Sequence, residues 1–502
     1  MLCYTKPKHM GYSHPATSRD RELQLYIGGK WRESESGAVR TATDPATDEP
    51  IATYPDGTRE DTHAAVDAAR SAQPVLERMS AFKRAELCHE IADAIDDQFE
   101  TLVEWLIADQ GKPIASAEYE VNGTSQLFRI AAEDVKRDEP PTIQSSNRNK
   151  RVYTMRKPHG VVGIVTPWNF PLSIPAEYIG PGLAAGNALV WVPAPTTSVV
   201  AVTLAEVLAE TSLPDGALNL VTGEGPVVGD EVVSYDDVDA VGFTGSPETG
   251  EAIARAAGAK PTLLEMGGNG PVIVLEDADV KAAAEAATGG CYTNAGQVCG
   301  ATGRILVHES IHDEFVERVV AQTDEMVVGD PWDEATDMGP LNNDGVAEKM
   351  DRHVRDAEER GATVLQGGGR VADAPTDRYY EPTVIDDVTP AMALNREESF
   401  GPVAPVLTFS DDDEAIELAN DIDLGLISGV FTASLARADR FVDEVQTGIV
   451  NVNGGSTYWE KHIPFGGHSG KKSGIGRLGG RHTLEELSQL KTAIVDPGAD
   501  PS

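Results

Sequence analysis

The chain has 502 residues, enough for two or three domains of ordinary size and several buried cores. It is 40% hydrophobic and 24% charged, with 49 Gly and 31 Pro, a globular composition that excludes a disordered, collagenous or coiled-coil chain. Its 81 acidic and 41 basic residues leave a net charge of −40, which argues against nucleic acid and anionic membranes as partners, since phosphate binding needs a basic face.

Polar residues 1–21 read as a flexible N-terminal tail without an apolar signal segment. Residues 22–50 read as strands and turns. From Asp61 to Gly111 apolar residues recur at steps of three and four, for example Leu87, Ile91, Ile95, Phe99, Leu102 and Leu106, which predicts helix. After Pro140-Pro141 the alternation of Val152, Thr154 and Arg156 predicts a strand. From residue 160 short apolar runs (161–165, 188–192, 217–221, 240–243) alternate with helical segments at 199–211 and 247–257. That pattern predicts an α/β domain with a parallel sheet, whose functional residues lie beyond the carboxyl ends of the strands. A second α/β alternation spans about 270–465, with strand-like runs at 304–308, 403–409 and 448–452, and a last strand is expected at 489–495.

The acidic excess is dispersed, in clusters such as Asp236-Asp237 and Asp411-Asp412-Asp413-Glu414. Such a surface repels itself in dilute buffer and is relieved by salt, which points to a high-salt cytoplasm and a halophilic source. Four cysteines (Cys3, Cys88, Cys291, Cys299) form neither a disulfide framework nor a zinc pattern, so no metal is expected. No apolar run is long enough to span a bilayer, and a cytoplasmic location follows as the expectation.

Four segments could carry chemistry. Cys299 sits in Tyr292-Thr-Asn-Ala-Gly-Gln-Val-Cys-Gly300, whose small neighbours let a substrate approach a thiol that needs activation to be nucleophilic. The other three cysteines read as small buried hydrophobes. Glu265, between Leu263-Leu264 and Met266-Gly267-Gly268, would become a usable general base if burial raised its pKa. Thr166-Pro-Trp168-Asn169-Phe170-Pro follows an apolar run and holds the Asn169 amide, an uncharged donor suited to an oxyanion. Phe243-Thr244-Gly245-Ser246-Pro-Glu-Thr-Gly250 closes a strand and opens a helix, where a phosphate could bind, although it is neither a Walker nor a G-x-G-x-x-G motif.

Together these segments resemble the NAD(P)-dependent aldehyde dehydrogenase superfamily from about residue 22 to 497. The glutamate segment 264–268 and the Gly296-Gln297-Val298-Cys299 segment lie at the family's spacing, with Cys299 34 residues after Glu265. The Glu398-Ser-Phe400-Gly-Pro402 and Pro464-Phe-Gly-Gly467 motifs follow in the expected order. The resemblance implies an aldehyde dehydrogenase-like α/β fold: a Rossmann-like cofactor domain (22–132 and 154–264), an α/β catalytic domain (265–483), and a small β oligomerisation element (133–153 and 484–497). It implies oxidation of an aldehyde to the acid through a cysteine thiohemiacetal and thioester. Cys299 would be the nucleophile, Asn169 and the Cys299 N–H the oxyanion donors, and Glu265 the base that activates water. Thr166, Trp168, Val192, Pro195, Gly225, Thr244, Gly245, Ser246, Glu398 and Phe400 would border the cofactor; Phe170, Val298 and Trp459 would line the substrate pocket. The expected partners are a small aldehyde, with hydroxyaldehydes and semialdehydes as candidates, and further copies of the chain in a homodimer or homotetramer.

Three departures qualify the resemblance. The Lys-x-x-Glu common in the family reads Val192-Pro-Ala-Pro195, which leaves NAD and NADP both open with a slight lean to NADP. Gly-Gly-Lys reads Gly267-Gly268-Asn269, and five residues (468–472) separate Gly467 from Ser473 where three are usual. Arg129 and Arg481 are available to bind an anionic semialdehyde. A CoA-acylating semialdehyde dehydrogenase and a catalytically silent nucleotide-binding homologue are the competing readings; Glu265 opposes the first, and the intact Cys299, Glu265 and Asn169 oppose the second.

Overall fold

The computed structural model describes residues 11–14, 21–137, 142–496 and 498. Two sheets, each with its own hydrophobic core, organise the chain. In the first, five parallel strands lie in the order Thr262–Met266, Ala240–Gly245, Val161–Val165, Ala188–Val192 and Leu218–Leu220. Their apolar runs are continuous because helices cover both faces of a parallel sheet. Trp191, Leu189 and Ile164 are completely buried there.

Short antiparallel strands complete this sheet at both edges. Leu25–Ile27 and Lys30–Arg32 extend it beyond Leu218–Leu220. At the other edge Gly474–Ile475 pairs with Leu264 and Glu265. Leu478 and Leu487 pack into the first core, so the chain has returned to the first sheet before residue 483.

The helical region after residue 58 is three helices, Arg59–Arg78, Ala81–Asp97 and Phe99–Gln110. Thr58 and Asp61 form a reciprocal capping box at the first, and Ser80 caps the second. The third ends at Gly111, whose φ of +90° is the left-handed conformation that stops a helix. A fourth helix, Ile114–Lys136, packs against the helix Ser173–Ala185.

The second sheet has six parallel strands in the order Thr383–Asp386, Val403–Phe409, Thr302–His308, Gly270–Val274, Ile427–Phe431 and Ile449–Val452. Thr363–Gln366 adds an antiparallel edge. A separate three-stranded sheet joins Ser488–Val495 to Arg151–Pro158 over eight residue pairs, and Thr142–Ile143 to the latter. Among the described residues of the N-terminal segment, the Tyr12 hydroxyl donates to Glu118 and His14 meets Asp44 at 2.9 Å; the rest of the expected tail lies largely outside the described residues. No helix among the described residues is long and apolar enough to cross a membrane.

Candidate active site

The site forms where the carboxyl ends of the first sheet's strands face the segment that precedes the strand Thr302–His308. Glu265 is the fourth residue of Thr262–Met266, fixed by parallel pairing to Thr244 and antiparallel pairing to Gly474. It is 2% exposed, and both carboxylate oxygens are buried without a hydrogen-bond partner. Desolvation therefore pushes its carboxyl well above the usual range; the Glu177 carboxylate adds to the rise and the Arg477 guanidinium opposes it. Gly466 lies against the carboxylate, where a Cβ would stand 2.9 Å from Oε1.

Cys299 is reached through a strained turn. Asn294, Ala295 and Gly296 all have left-handed φ, at +51°, +56° and +74°. Two non-glycine residues in that region cost of order 1–3 kcal/mol each, a strain characteristic of functional segments. The Gln297 side chain holds the turn, donating to the Asn294 carbonyl at 2.9 Å and accepting from the Asn342 N–H at 2.9 Å. Burial raises the Cys299 thiol above its ordinary pKa, and Glu398, Glu265 and Glu177 raise it further, while the Gly300 N–H favours the thiolate. A thiol among three carboxyl groups is held protonated until a base removes its proton.

Asn169 packs against the cysteine segment. Its Nδ2 donates to the Gln297 carbonyl at 3.0 Å, which fixes the orientation of the amide two residues from Cys299. One Nδ2 hydrogen remains for a ligand. The Asn169 carbonyl accepts from Lys112 Nζ at 2.9 Å and from Asn294 Nδ2 at 3.1 Å.

Seven of the proposed cofactor residues (Thr166, Val192, Pro195, Gly225, Thr244, Gly245 and Ser246) lie at or just beyond the carboxyl ends of neighbouring parallel strands of the first sheet. Thr166 follows Val161–Val165, its N–H donating to the Val192 carbonyl at 3.1 Å and its hydroxyl accepting from the Trp191 indole at 2.9 Å. Gly245 ends Ala240–Gly245, and exposed Ser246 caps the helix Pro247–Ala257 by accepting from the Thr249 N–H. Carboxyl ends of adjacent parallel strands with a helix N-terminus suit a dinucleotide pyrophosphate. Pro195 is held from behind, its carbonyl accepting from the Tyr54 hydroxyl at 3.0 Å, and Gly225 opens the turn Gly225–Gly229. Glu398 accepts from the Gly268 N–H at 3.1 Å, and burial pushes its carboxyl up to about 7, with Lys349 opposing. Trp168 meets Phe400 edge to face at 5.4 Å, and Gly268, Gly296, Val298, Glu398 and Phe400 line one small cleft. A carboxylate and a helix N-terminus are group types that suit the ribose hydroxyls and phosphates of a dinucleotide.

The structure brings Cys299, Glu265, Asn169, Glu398, Phe400 and Val298 to one place. Phe170 turns beneath Lys112, whose ammonium sits 4.3 Å from its ring centroid. Trp459 donates its indole N–H to the Ile463 carbonyl at 2.8 Å and packs on Phe465, so it braces its own loop. Neither arginine offered for an anionic substrate is available: Arg129 pairs with Asp93 and Asp96, and Arg481 with Glu485. Cys88 and Cys291 are buried, and Cys3 lies outside the described residues. Sequence reasoning missed Lys112, Glu120, Glu177 and Lys461; a Gly-Lys-Pro triplet at 111–113 was visible, but no spacing relates it to Asn169. Among the described residues, no group of three or more His, Cys, Asp or Glu side chains is placed to hold a metal ion.

The profile of the Aldehyde dehydrogenase family matches residues 31–493. The chain belongs to this family. Among its relatives, a lactaldehyde dehydrogenase of Methanococcus maripaludis is 35% identical over 94% of this chain and 99% of its own length. The chloroplastic betaine aldehyde dehydrogenase of Beta vulgaris is 37% identical over 97% of this chain and 98% of its own. A betaine aldehyde dehydrogenase of Staphylococcus aureus, solved in complex with NAD+, superimposes with a TM-score of 0.92 at 33% identity, covering 96% of this chain and 97% of that one. As a member of this family the protein is an NAD(P)-dependent aldehyde dehydrogenase with the family's α/β fold.

Proposed function

We propose that Cys299, Glu265 and Asn169 divide the chemistry of oxidising a small aldehyde to its acid. The observation that carries this reading is a half-buried thiol within electrostatic reach of a buried carboxylate that has no hydrogen-bond partner, with an oriented amide alongside. The Cys299 thiol gives its proton to solvent as its sulfur adds to the carbonyl carbon. The new oxyanion is met by Asn169 Nδ2 and the Cys299 N–H. The nicotinamide, when bound, supplies the acceptor for the hydride that leaves this carbon. Cys299 then carries a thioester, and Glu265 deprotonates the water that attacks it, releasing the acid and the thiol. Thr244, Gly245, Ser246 and Gly225 would hold the pyrophosphate and adenosine side, Glu398 the ribose, and Thr166, Trp168 and Phe400 the nicotinamide side.

The substrate we favour is a small hydroxyaldehyde. Three carboxyl groups are among the strongest influences on the Cys299 thiol, so an anionic group close to the reacting carbon is disfavoured. Lys461, paired electrostatically with Glu177, is the one observation that favours a longer semialdehyde instead. A lean to NADP rests on Val192 and Pro195, which present no carboxylate to repel a 2′-phosphate. We place the protein in a high-salt cytoplasm, on the strength of its charge, and as a homodimer or homotetramer through the sheet edge Ser488–Val495, where Leu490 and Ile494 are exposed. The deciding experiment is a panel of aldehydes with NAD+ and NADP+, without CoA, from dilute buffer to multimolar KCl. Acid formation from lactaldehyde or glycolaldehyde, best in high salt, supports the reading; a requirement for CoA refutes hydrolysis, and inactivation by salt refutes the halophilic assignment.

A further inference from the structure

A buried ion pair outside the catalytic set grips the chain at Asn169 and just after it. Lys112 and Glu120 are in direct contact with both side chains fully buried, the first in the loop before the helix Ile114–Lys136 and the second on that helix. Lys112 Nζ also donates to the Asn169 carbonyl at 2.9 Å and lies over the Phe170 ring. Glu120 Oε1 accepts from the Leu172 N–H at 2.9 Å and the Ser173 N–H at 3.2 Å. The two ions thus occupy a carbonyl and two amides of residues 169–173 that no regular secondary structure satisfies at the entrance to the helix Ser173–Ala185. A buried pair seldom repays its desolvation by stability alone, and registry is its best-attested use. The partly buried Glu177 and Lys461 lie within electrostatic reach of Glu120 but make no hydrogen bond to the 169–173 backbone.

We infer that Lys112 and Glu120 are positioning residues, which set the Asn169 amide against the Gln297 carbonyl and so aim its free hydrogen at the developing oxyanion. The inference rests on the role proposed for Asn169, and it extends that role to a pair that touches neither substrate nor cofactor. Misplacing a reacting group by an ångström can cost about 10²-fold in rate, so a similar fall in kcat is expected when the clamp is broken.

The test is a double-mutant cycle in the full-length protein, with Lys112→Met, Glu120→Gln and Asn169→Ala measured singly and combined. Glu120→Gln keeps volume and shape, and serves if Lys112→Met fails to fold. Each clamp variant is expected to lower kcat about 10²-fold, with the dissociation constant for the oxidised nucleotide, followed by quenching of protein fluorescence, unchanged. In the Asn169→Ala background the same substitutions are expected to have almost no further effect. Multiplicative losses, or clamp variants with wild-type kcat, overturn the inference by showing a merely structural pair. Failure of the functional reading looks different, because the unaltered protein then oxidises no aldehyde.

Discussion

Replacing Asn169 by alanine separates catalysis from stability, because the structure makes the two effects unequal. The substitution removes one hydrogen bond, Nδ2 to the Gln297 carbonyl, worth about 1 kcal/mol net. It also removes Oδ1, which is buried without a partner and carries a desolvation penalty of about 1–3 kcal/mol. These terms oppose each other, so the melting temperature is expected to move little. The rate is different: loss of one preorganised oxyanion donor costs about 2.7–4 kcal/mol in the transition state, a fall of about 10²–10³ in kcat. The assay is reduced-nucleotide absorbance at saturating aldehyde and nucleotide, beside thermal melts of both proteins. A wild-type rate refutes the role given to Asn169. A rate loss that simply follows a collapsed melting temperature refutes it as well.

Other consequences follow from the carboxyl groups. Glu265→Gln keeps the size of the side chain but cannot take a proton from water; one burst of reduced nucleotide per active site is expected, then near arrest, and sustained turnover would contradict the assignment. Because burial raises the Glu265 carboxyl, the basic form grows in only above the ordinary carboxylate range, so the ascending limb of the kcat–pH profile is expected well above pH 4.5, the value of an unperturbed glutamate. A plateau already reached by that pH would refute it. Glu177 is pushed up to about 8, first by burial and then by Glu120, against the pull of Lys461. Its folded pKa exceeds its unfolded one, so stability present below the unfolded value is lost as pH rises through the folded value. Glu177→Gln is expected to flatten the decline in melting temperature between about pH 5 and pH 9. An unchanged decline would show that this carboxyl stays ionised in the fold.

Part of each sheet was legible because a strand buried on two faces is largely apolar, as in Val161–Val165 and Ala188–Val192, whereas Thr262–Met266, Gly270–Val274, Thr383–Asp386 and Ile427–Phe431 were not picked out. Pro247 marks a helix start for a local reason, the Ser246 cap beside it. What local pattern does not record stayed hidden. Gly474–Ile475 is two residues long and owes its place in the first sheet to Leu264 and Glu265. The left-handed pair Asn294–Ala295 departs from the usual preference at Ala295, and contacts with Gln297, Asn342 and Asn169 hold it. Glu265 and Cys299 could be picked out by their motifs, but their raised pKa values come first from burial and then from carboxyl groups distant in sequence, among them Glu177, 88 positions before Glu265, which reads in sequence as an ordinary helical glutamate. Lys112 and Glu120 were equally silent, since their partners are backbone atoms more than 50 positions away.

The most direct measurement is peptide mapping by mass spectrometry of protein quenched during turnover of an isotopically labelled aldehyde, with Glu265→Gln used to trap the intermediate. The expected result is the acyl mass on Cys299, and its absence from Cys88 and Cys291. Label on another residue, or a Cys299→Ser protein that oxidises the aldehyde at full rate, would contradict the mechanism.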